Sequence, residues 1–465
     1  MFSPDLRSHI AWLEQRGELV RIKEPVSTRF DVARHEEEHD GRKAVLFESV
    51  SGYDMPIVAN IFNSRRNVAH VLGTKPDQAL SHRIIQAARN GLPTRLVDTS
   101  PVKDIRIVGD DVDIVRQIPN PMHFEKDVGH YISSGVIVAR DPVSGKRNLS
   151  FARMLIKDSK TIVVMVNIYR HLAEIHRRAE RAGRNLEVAI VIGVDPTTWL
   201  EGAMPDRLVP LHVDELEVAG ALRGAPLDVV RCETIDLEVP ACAEIVLEGE
   251  MLAGVREEEG PYGDYSRVYD GPPRLNPVIK VKAITRRRDA IYLDCLPGSY
   301  DNWLLGGVCR EADLLQHLQT TMPNVKAVCL PEGGCCRFHA VVQIEKRFES
   351  DGMHAIIGTM SPTEASRDVK WVVVVDDDID PFDPMQVQWA IATRTQWDRD
   401  LILVPRMGMA LDPSAISRTP PAVRKLGDVL STKAGLDATI PLDIPERVDA
   451  YRRVRVPAAG GPDRP

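Results

Sequence analysis

The sequence predicts a mixed α/β protein, α/β (α+β) in class. It reads as a small α/β unit at the N-terminus, an antiparallel sheet or barrel in the middle and a second α/β unit at the C-terminus. Three observations carry this. Helical and alternating segments interleave up to the region of Pro101 to Pro121, where Pro119 and Pro121 mark an extended connector. From Tyr131 onward, short β-branched runs separated by turn residues follow one another closely, as in antiparallel hairpins. After Leu304-Leu-Gly-Gly307 the pattern returns to helix and strand, and Trp371-Val-Val-Val-Val375 has the unbroken apolar character of a central strand.

In chain order, Leu6, Ile10 and Leu13 give Asp5 to Arg16 a helical rhythm that Gly17 stops. Residues 18–23 alternate as a strand, Asp31 to Glu38 reads as a helix, and 44–47 and 56–60 read as strands. In the middle come strands at 135–139, 151–156 and 161–166, set apart by Asp141-Pro142, Ser144-Gly145 and Asp158-Ser159. A basic helix over 172–182 ends at Gly183, and a buried strand over 188–193 leads to Asp195-Pro196, a helix start. Further strands are expected at 228–231, 244–248, 278–282 and 290–293, then a helix over 311–321 and strands at 325–330 and 339–344. The Pro/Gly-rich tail from Pro457 reads as disordered.

At 465 residues the chain exceeds one ordinary core. The formal charge of −8 and pI near 5.9 argue against nucleic acid or an anionic membrane as main partner. The basic run Arg286-Arg287-Arg288 reads as a solvated turn. No uncharged apolar run approaches the roughly 20 residues of a membrane helix, and residues 1–7 lack the apolar core of a signal peptide. Seven cysteines form no CxxC pair, so neither a zinc ribbon nor a disulfide framework is indicated. A cytoplasmic, reduced protein is expected.

His35-Glu-Glu-Glu-His39 matches the HExxH metalloprotease pattern. Its flanks, Arg34 and Asp40-Gly41, are charged and end the helix at once, so a solvated helix face and an accidental match are expected.

Three other clusters carry more. The first is Asn148, Arg153 and His171; the second is Asp214-Glu215; in the third, Glu259 and Asp264 flank a Gly-Pro-Tyr-Gly turn. In an extended run, Asn148 and Arg153 project to opposite faces because their offset is odd. An amide oxygen, an imidazole and a carboxylate suit Mg²⁺ or Mn²⁺ better than structural zinc. A guanidinium between two carboxylates sets up the tuning that proton transfer needs. The alternative for the same spacings is a surface ion-pair network.

The order and spacing of several segments resemble the UbiD family of prenylated-FMN-dependent decarboxylases across nearly the whole chain. They are Asn148-Leu-Ser-Phe-Ala-Arg153, Asp214-Glu215 with Ala219-Gly220, 236–241, 243–249, Glu259-Gly-Pro-Tyr-Gly-Asp264 and 431–439. The resemblance implies an N-terminal α/β domain over 1–120, a split β-barrel flavin-binding domain over 121–305, a C-terminal α/β oligomerisation domain over 306–440 and a tail over 441–465. It implies that Asn148, His171 and Glu215 hold Mn²⁺ or Mg²⁺ bridging to the cofactor phosphate. Arg153, Glu259 and Asp264 correspond to the catalytic Arg-acid-acid trio, although ferulic-type relatives carry Glu where this chain has the shorter Asp264. Asn148, Ser150, Phe151, Arg153 and Lys433 fall at cofactor-binding positions, Lys433 at a phosphate. K⁺ near the phosphate is a further implication, with 202–205 as contributor.

Loss of CO₂ from an sp² carbon leaves a carbanion that side chains alone cannot support, so an electron-accepting cofactor must carry the charge. By resemblance, prenylated FMN does so through a covalent adduct with the substrate, reversibly, and Glu259 protonates the carbon that CO₂ leaves. Arg153 positions the substrate carboxylate and both acids. The substrate is then an aromatic, heteroaromatic or α,β-unsaturated carboxylic acid, with a loop over 296–307 walling its pocket, including Tyr300, Asp301, Asn302 and Trp303. A flavin prenyltransferase would supply the cofactor, and a homodimer or larger homo-oligomer is implied. The competing readings are a flavin-dependent oxidoreductase, which leaves the trio without a task and lacks a GxGxxG segment, and a non-catalytic flavin-binding protein.

Overall fold

The computed structural model describes residues 4–454 except 270, 362–366, 410, 416–428, 444 and 453, so the tail from Pro457 lies outside the described residues. Helix α1 (Leu6–Gln15) opens with a reciprocal cap between Asp5 and Ser8 and buries Leu6, Ile10 and Leu13. Then come β1 (Leu19–Ile22), α2 (Asp31–His39), β2 (Ala44–Phe47), β3 (Ile57–Ala59), α3 (Arg65–Val71) and α4 (Ala79–Arg89). The strands make a small sheet, β1 parallel to β2 and β2 antiparallel to β3. Helix α2 departs from the solvated face expected of it. Glu36 is fully buried beside Val32 and Ala33, while Arg34, Glu37 and Glu38 point outward. His35 and His39 do not converge on a metal position: His39 Nδ1 meets the His35 carbonyl at 2.9 Å.

The connector around Pro101–Pro121 carries more than extended chain. After β4 (Arg95–Leu96), strand β5 (Ile105–Val108) joins the central sheet, and α5 (Ile114–Gln117) follows. The central strands are β6 (Tyr131–Ile132), β7 (Val136–Arg140), β8 (Arg147–Phe151), β9 (Met154–Ile156) and β10 (Thr161–Val164). Helix α6 (His171–Arg181), β11 (Leu186–Ile192), α7 (Pro196–Glu201) and α8 (Glu215–Arg223) come next. Strands β12 (Asp228–Arg231) and β13 (Glu238–Pro240) pair beside β4, and a long ribbon of β14 (Ile245–Glu259) and β15 (Arg274–Arg286) completes the unit.

Nine of these strands form one sheet, ordered β6-β9-β10-β15-β14-β11-β7-β8 with β5 on β15. Every pairing in it is antiparallel, and it curls into a half-barrel. The run expected as one strand over 151–156 is two. Strand β8 forms one edge of the half-barrel and β9 lies next to the opposite edge, so Ala152 and Arg153 carry the chain across its open side. Side-chain alternation therefore cannot be carried from Asn148 through to Arg153. Gly249 lies at a bulge in the ribbon, where a Cβ would meet the Lys280 carbonyl oxygen at 2.3 Å. Arg286 and Arg287 are not solvated: they are largely covered and paired with Asp54 and Glu244.

Strand β16 (Tyr292–Leu293) returns to the N-terminal sheet, parallel to β3. Helix α9 (Tyr300–Thr321) begins inside the stretch expected to be a loop, with the Ser299 hydroxyl accepting from Asn302 N–H. The C-terminal sheet is built from β17 (Val325–Cys329), β18 (His339–Ile344), β19 (Trp371–Asp376), β20 (Leu401–Gly408) and β21 (Leu430–Asp437), ordered 17-18-19-21-20. Helix α10 (Asp351–Met360) packs on one face, and the Pro384–Arg394 helix belongs to the cluster on the other. Among the described residues no helix is long and apolar enough to cross a membrane.

Candidate active site

Arg153 grips two acids. Its Nε and Nη2 donate to Glu259 Oε1 and Oε2 at 3.0 and 3.1 Å, and its Nη1 donates to Asp264 Oδ2 at 2.7 Å. The Arg153 and Glu259 side chains are 10% and 1% exposed, so this is no surface ion-pair network. Burial matters because an ion pair out of water interacts more strongly and leaving either partner alone is costly. Glu259 ends β14, and the chain then turns through Gly260-Pro261-Tyr262-Gly263 to bring Asp264 back to the same guanidinium.

Sequence reading missed the groups that hold this arrangement. Tyr131 donates to Glu259 Oε1 at 2.9 Å and Asn276 Nδ2 to Oε2 at 3.2 Å, so both oxygens are doubly satisfied. Burial, reinforced by the Glu259 charge, pushes the Tyr131 phenol up, so it remains a donor. The Tyr131 and Tyr262 rings pack tilted at 49° with centres 4.4 Å apart, and Arg153 lies 4.7 Å from the Tyr262 ring centre. Asp127 accepts from Gly263 N–H at 2.8 Å, and a Cβ on Gly263 would meet the Phe124 ring at 2.1 Å. Only glycine fits that approach. Trp303 Nε1 donates to the Tyr265 carbonyl at 2.8 Å, tying the turn to α9. The signal for Tyr131 and Asn276 lay in no motif; they are named by pairing across the sheet.

A second polar group forms around α6 and α8. Asn148 and Ser150 share one face of β8, with Ser150 Oγ donating to Asn148 Oδ1 at 3.0 Å. Glu215, the first residue of α8, accepts from Asn148 Nδ2 at 2.7 Å and from Leu149 N–H. His171, the first residue of α6, has Nδ1 3.5 Å from Glu215 Oε1 and Nε2 3.6 Å from Asp206 Oδ2. Burial pulls His171 down, but Glu215 and the Asp206 charge outweigh it and the imidazole is raised overall. Beneath lies Glu201, fully buried, with neither carboxylate oxygen hydrogen-bonded. Burial, followed by the Glu215 charge, pushes Glu201 well above the usual carboxylate range. A buried set of carboxylates with an imidazole and an amide fits a hard divalent cation. The amide now turns its nitrogen, not its oxygen, to Glu215.

Phe151 leaves β8 with its N–H on the Gly202 carbonyl at 2.7 Å and its ring 6.1 Å from that of Trp199. Lys433 lies on β21 of the C-terminal sheet. Burial draws it down to about 8, and its Nζ donates to the Arg367 carbonyl at 3.1 Å. Arg367 in turn lies 3.9 Å from the ring centre of Tyr169, two residues before His171. The C-terminal sheet thus reaches the α6 segment through Arg367.

The expected pocket wall is corrected in part. Leu296 does line a cavity of about 520 Å³, together with α2 residues, His123 and Arg267. Asp301 is instead buried and accepts from Ile61 and Phe62 N–H, and Asn302 accepts from Gly298 N–H. Both Asp301 oxygens are thus engaged by backbone of the N-terminal unit, so Asp301 does not wall a substrate pocket.

Comparison with known proteins defines the class. Residues 10–86, 95–300 and 304–438 match, in turn, the N-terminal, Rift-related and C-terminal domains of 3-octaprenyl-4-hydroxybenzoate carboxy-lyase. The chain belongs to the UbiD family of carboxy-lyases. Among curated relatives it is 38% identical to anhydromevalonate phosphate decarboxylase of Methanothermobacter thermautotrophicus, over 95% of this chain and 99% of the other. Among solved structures it resembles the UbiD-class enzyme HmfF from Pelotomaculum thermopropionicum in complex with FMN, at 41% identity, TM-score 0.89 and 97% coverage of both chains. It also resembles the apo 3,4-dihydroxybenzoic acid decarboxylase from Enterobacter cloacae, at 27% identity, TM-score 0.87 and coverage of 98% and 97%.

Proposed function

We propose that this chain catalyses the reversible, non-oxidative decarboxylation of an aromatic, heteroaromatic or α,β-unsaturated carboxylic acid with prenylated FMN. The observation that carries the reading is the buried guanidinium of Arg153 holding Glu259 through two bonds and Asp264 through a third. Support for the flavin comes from relatives: HmfF has been solved with FMN and, in an evolved dimeric form, with prFMN. When bound, the prenylated flavin supplies the electron-accepting framework that takes up the charge left by departing CO₂.

The residues of the chain orient the reactants and handle the proton. Arg153 positions the substrate carboxylate and fixes both acids. Glu259 delivers a proton to the carbon that loses CO₂, and Asp264, the more exposed acid, connects the pair to solvent. Tyr131 and Asn276 hold the Glu259 carboxyl plane. Asn148, His171 and Glu215 hold Mn²⁺ or Mg²⁺, with K⁺ near 202–205, and Ser150, Phe151 and Lys433 complete the cofactor site. A flavin prenyltransferase supplies the cofactor in the cytoplasm, and copies of the chain associate through the 306–440 stretch.

The test is coexpression with a flavin prenyltransferase, followed by flavin analysis of the purified protein. Bound prenylated FMN is expected, and its loss on chelation or in His171→Ala would support the metal assignment. Purification with no flavin despite an active prenyltransferase would refute the reading.

A further inference from the structure

The HExxH-like helix holds a residue that the carboxy-lyase reading does not use. Glu36, on α2, is fully buried, and neither of its carboxylate oxygens has a hydrogen-bond partner. Facing it are His123, from the connector before β6, and Asp294, directly after β16. One nitrogen of His123 and one oxygen from each acid lie within 4.8 Å of one another, all three residues being buried. His123 Nε2 is 2.9 Å from Asp294 Oδ2, Asp294 Oδ1 accepts from Ser133 at 2.7 Å, and His123 Nδ1 has no partner.

Charge makes this cluster incomplete. Asp301 adds a third buried acid that acts on Glu36, and Arg267, the nearby guanidinium, reaches Glu37 and Asp40. Two remedies exist for such an excess, a proton or a cation. A proton shared between Glu36 and Asp294 would still leave a Glu36 oxygen bare in an interior where an unmet polar atom is costly. A cation draws on the lone pairs of the imidazole and both acids together.

We propose that Glu36, His123 and Asp294 form a divalent-cation site distinct from the Asn148, His171 and Glu215 group. One imidazole and two carboxylates with positions left for water suit a first-row ion such as Zn²⁺ or Mn²⁺. The three ligands come from elements far apart in sequence, so the ion fastens α2 and the connector to the chain leaving β16. His123 also borders the cavity that Leu296 lines, which gives the ion a route in.

The experiment uses the full chain carrying His171→Ala, so that the other group contributes no metal. After chelation, Zn²⁺ or Mn²⁺ is added, excess is removed by gel filtration, and bound metal and Tm are measured. About one equivalent and a metal-dependent rise in Tm are expected; adding Glu36→Gln or His123→Gln should abolish both. Absence of bound metal in the His171→Ala chain, or stoichiometry unchanged by Glu36→Gln and His123→Gln, would overturn the proposal. Should neither second variant fold, Co²⁺ added to the His171→Ala chain decides: visible ligand-field bands support the site and a colourless protein refutes it.

Discussion

Glu259→Gln keeps the shape of the proposed proton donor and removes its acid. Glu259 Oε1 accepts from Arg153 Nε and Tyr131, and Oε2 from Arg153 Nη2 and Asn276, at 2.9 to 3.2 Å. An amide makes one of these two acceptors a donor. The least costly placement puts the NH₂ beside Asn276, whose own amide can rotate to accept, leaving one arm of Arg153 without an acceptor. That is the loss of one charge-assisted bond, about 1.5–3 kcal/mol, which a folded domain with roughly 5–15 kcal/mol of stability survives. The chemical cost is separate. Removing a general acid slows turnover by about 10²–10⁴-fold, or roughly 3–5 kcal/mol of barrier. The assay compares cofactor-loaded wild type and variant in single-turnover product formation, with flavin absorbance recorded on the same samples. Normal cofactor loading and turnover down at least about 100-fold are expected. Turnover within about threefold of wild type would refute the role.

Four further outcomes follow from the same geometry. Arg153→Lys replaces a fork that spans two acids with one point charge, so kcat/KM should fall at least about 100-fold with the fold retained by circular dichroism. Gly263→Ala forces a Cβ into the Phe124 ring, and a loss of about 1–3 kcal/mol in urea unfolding is expected together with impaired turnover. Burial draws His9 down to about 4 in the fold, whereas in the unfolded chain it protonates near 6.5, so the unfolded state binds more protons between these values. Stability should therefore fall by about 3 kcal/mol from this group as pH drops from 6.5 to 4, and Tm against pH should be shallower in His9→Gln. His171→Ala should lower flavin occupancy without moving the Arg153, Glu259 and Asp264 contacts, read by flavin content per chain and a crystal structure.

What sequence conveyed best was local. The period of Leu6, Ile10 and Leu13 and the Asp195-Pro196 start both match elements, since each depends on neighbours within a turn or two. Helix α9 was hidden because its first turns look like a loop. Gly307 is there for a close contact, a Cβ on it meeting Cys336 at 2.5 Å, and Asp301 serves backbone N–H groups of Ile61 and Phe62. Those partners lie far off in the chain. Glu36 was misread for the same reason: its charged neighbours announce solvent, but its own direction is set by packing against β-strand segments elsewhere. In the site, the segment carrying Glu259 and Asp264 was legible as a turn between acids. Tyr131 and Asn276 were not, because β15 reaches Glu259 through its pairing with β14 and β6 through the curl of the sheet, neither of which sequence spacing shows.

The most direct measurement is CO₂ release by chain loaded with prenylated FMN, across a panel of aromatic, heteroaromatic and α,β-unsaturated acids in deuterated buffer. The account predicts CO₂ from at least one acid, with deuterium on the carbon that carried the carboxylate, and loss of both signals in Glu259→Gln. Full cofactor occupancy with neither CO₂ nor deuterium incorporation from any acid would contradict it.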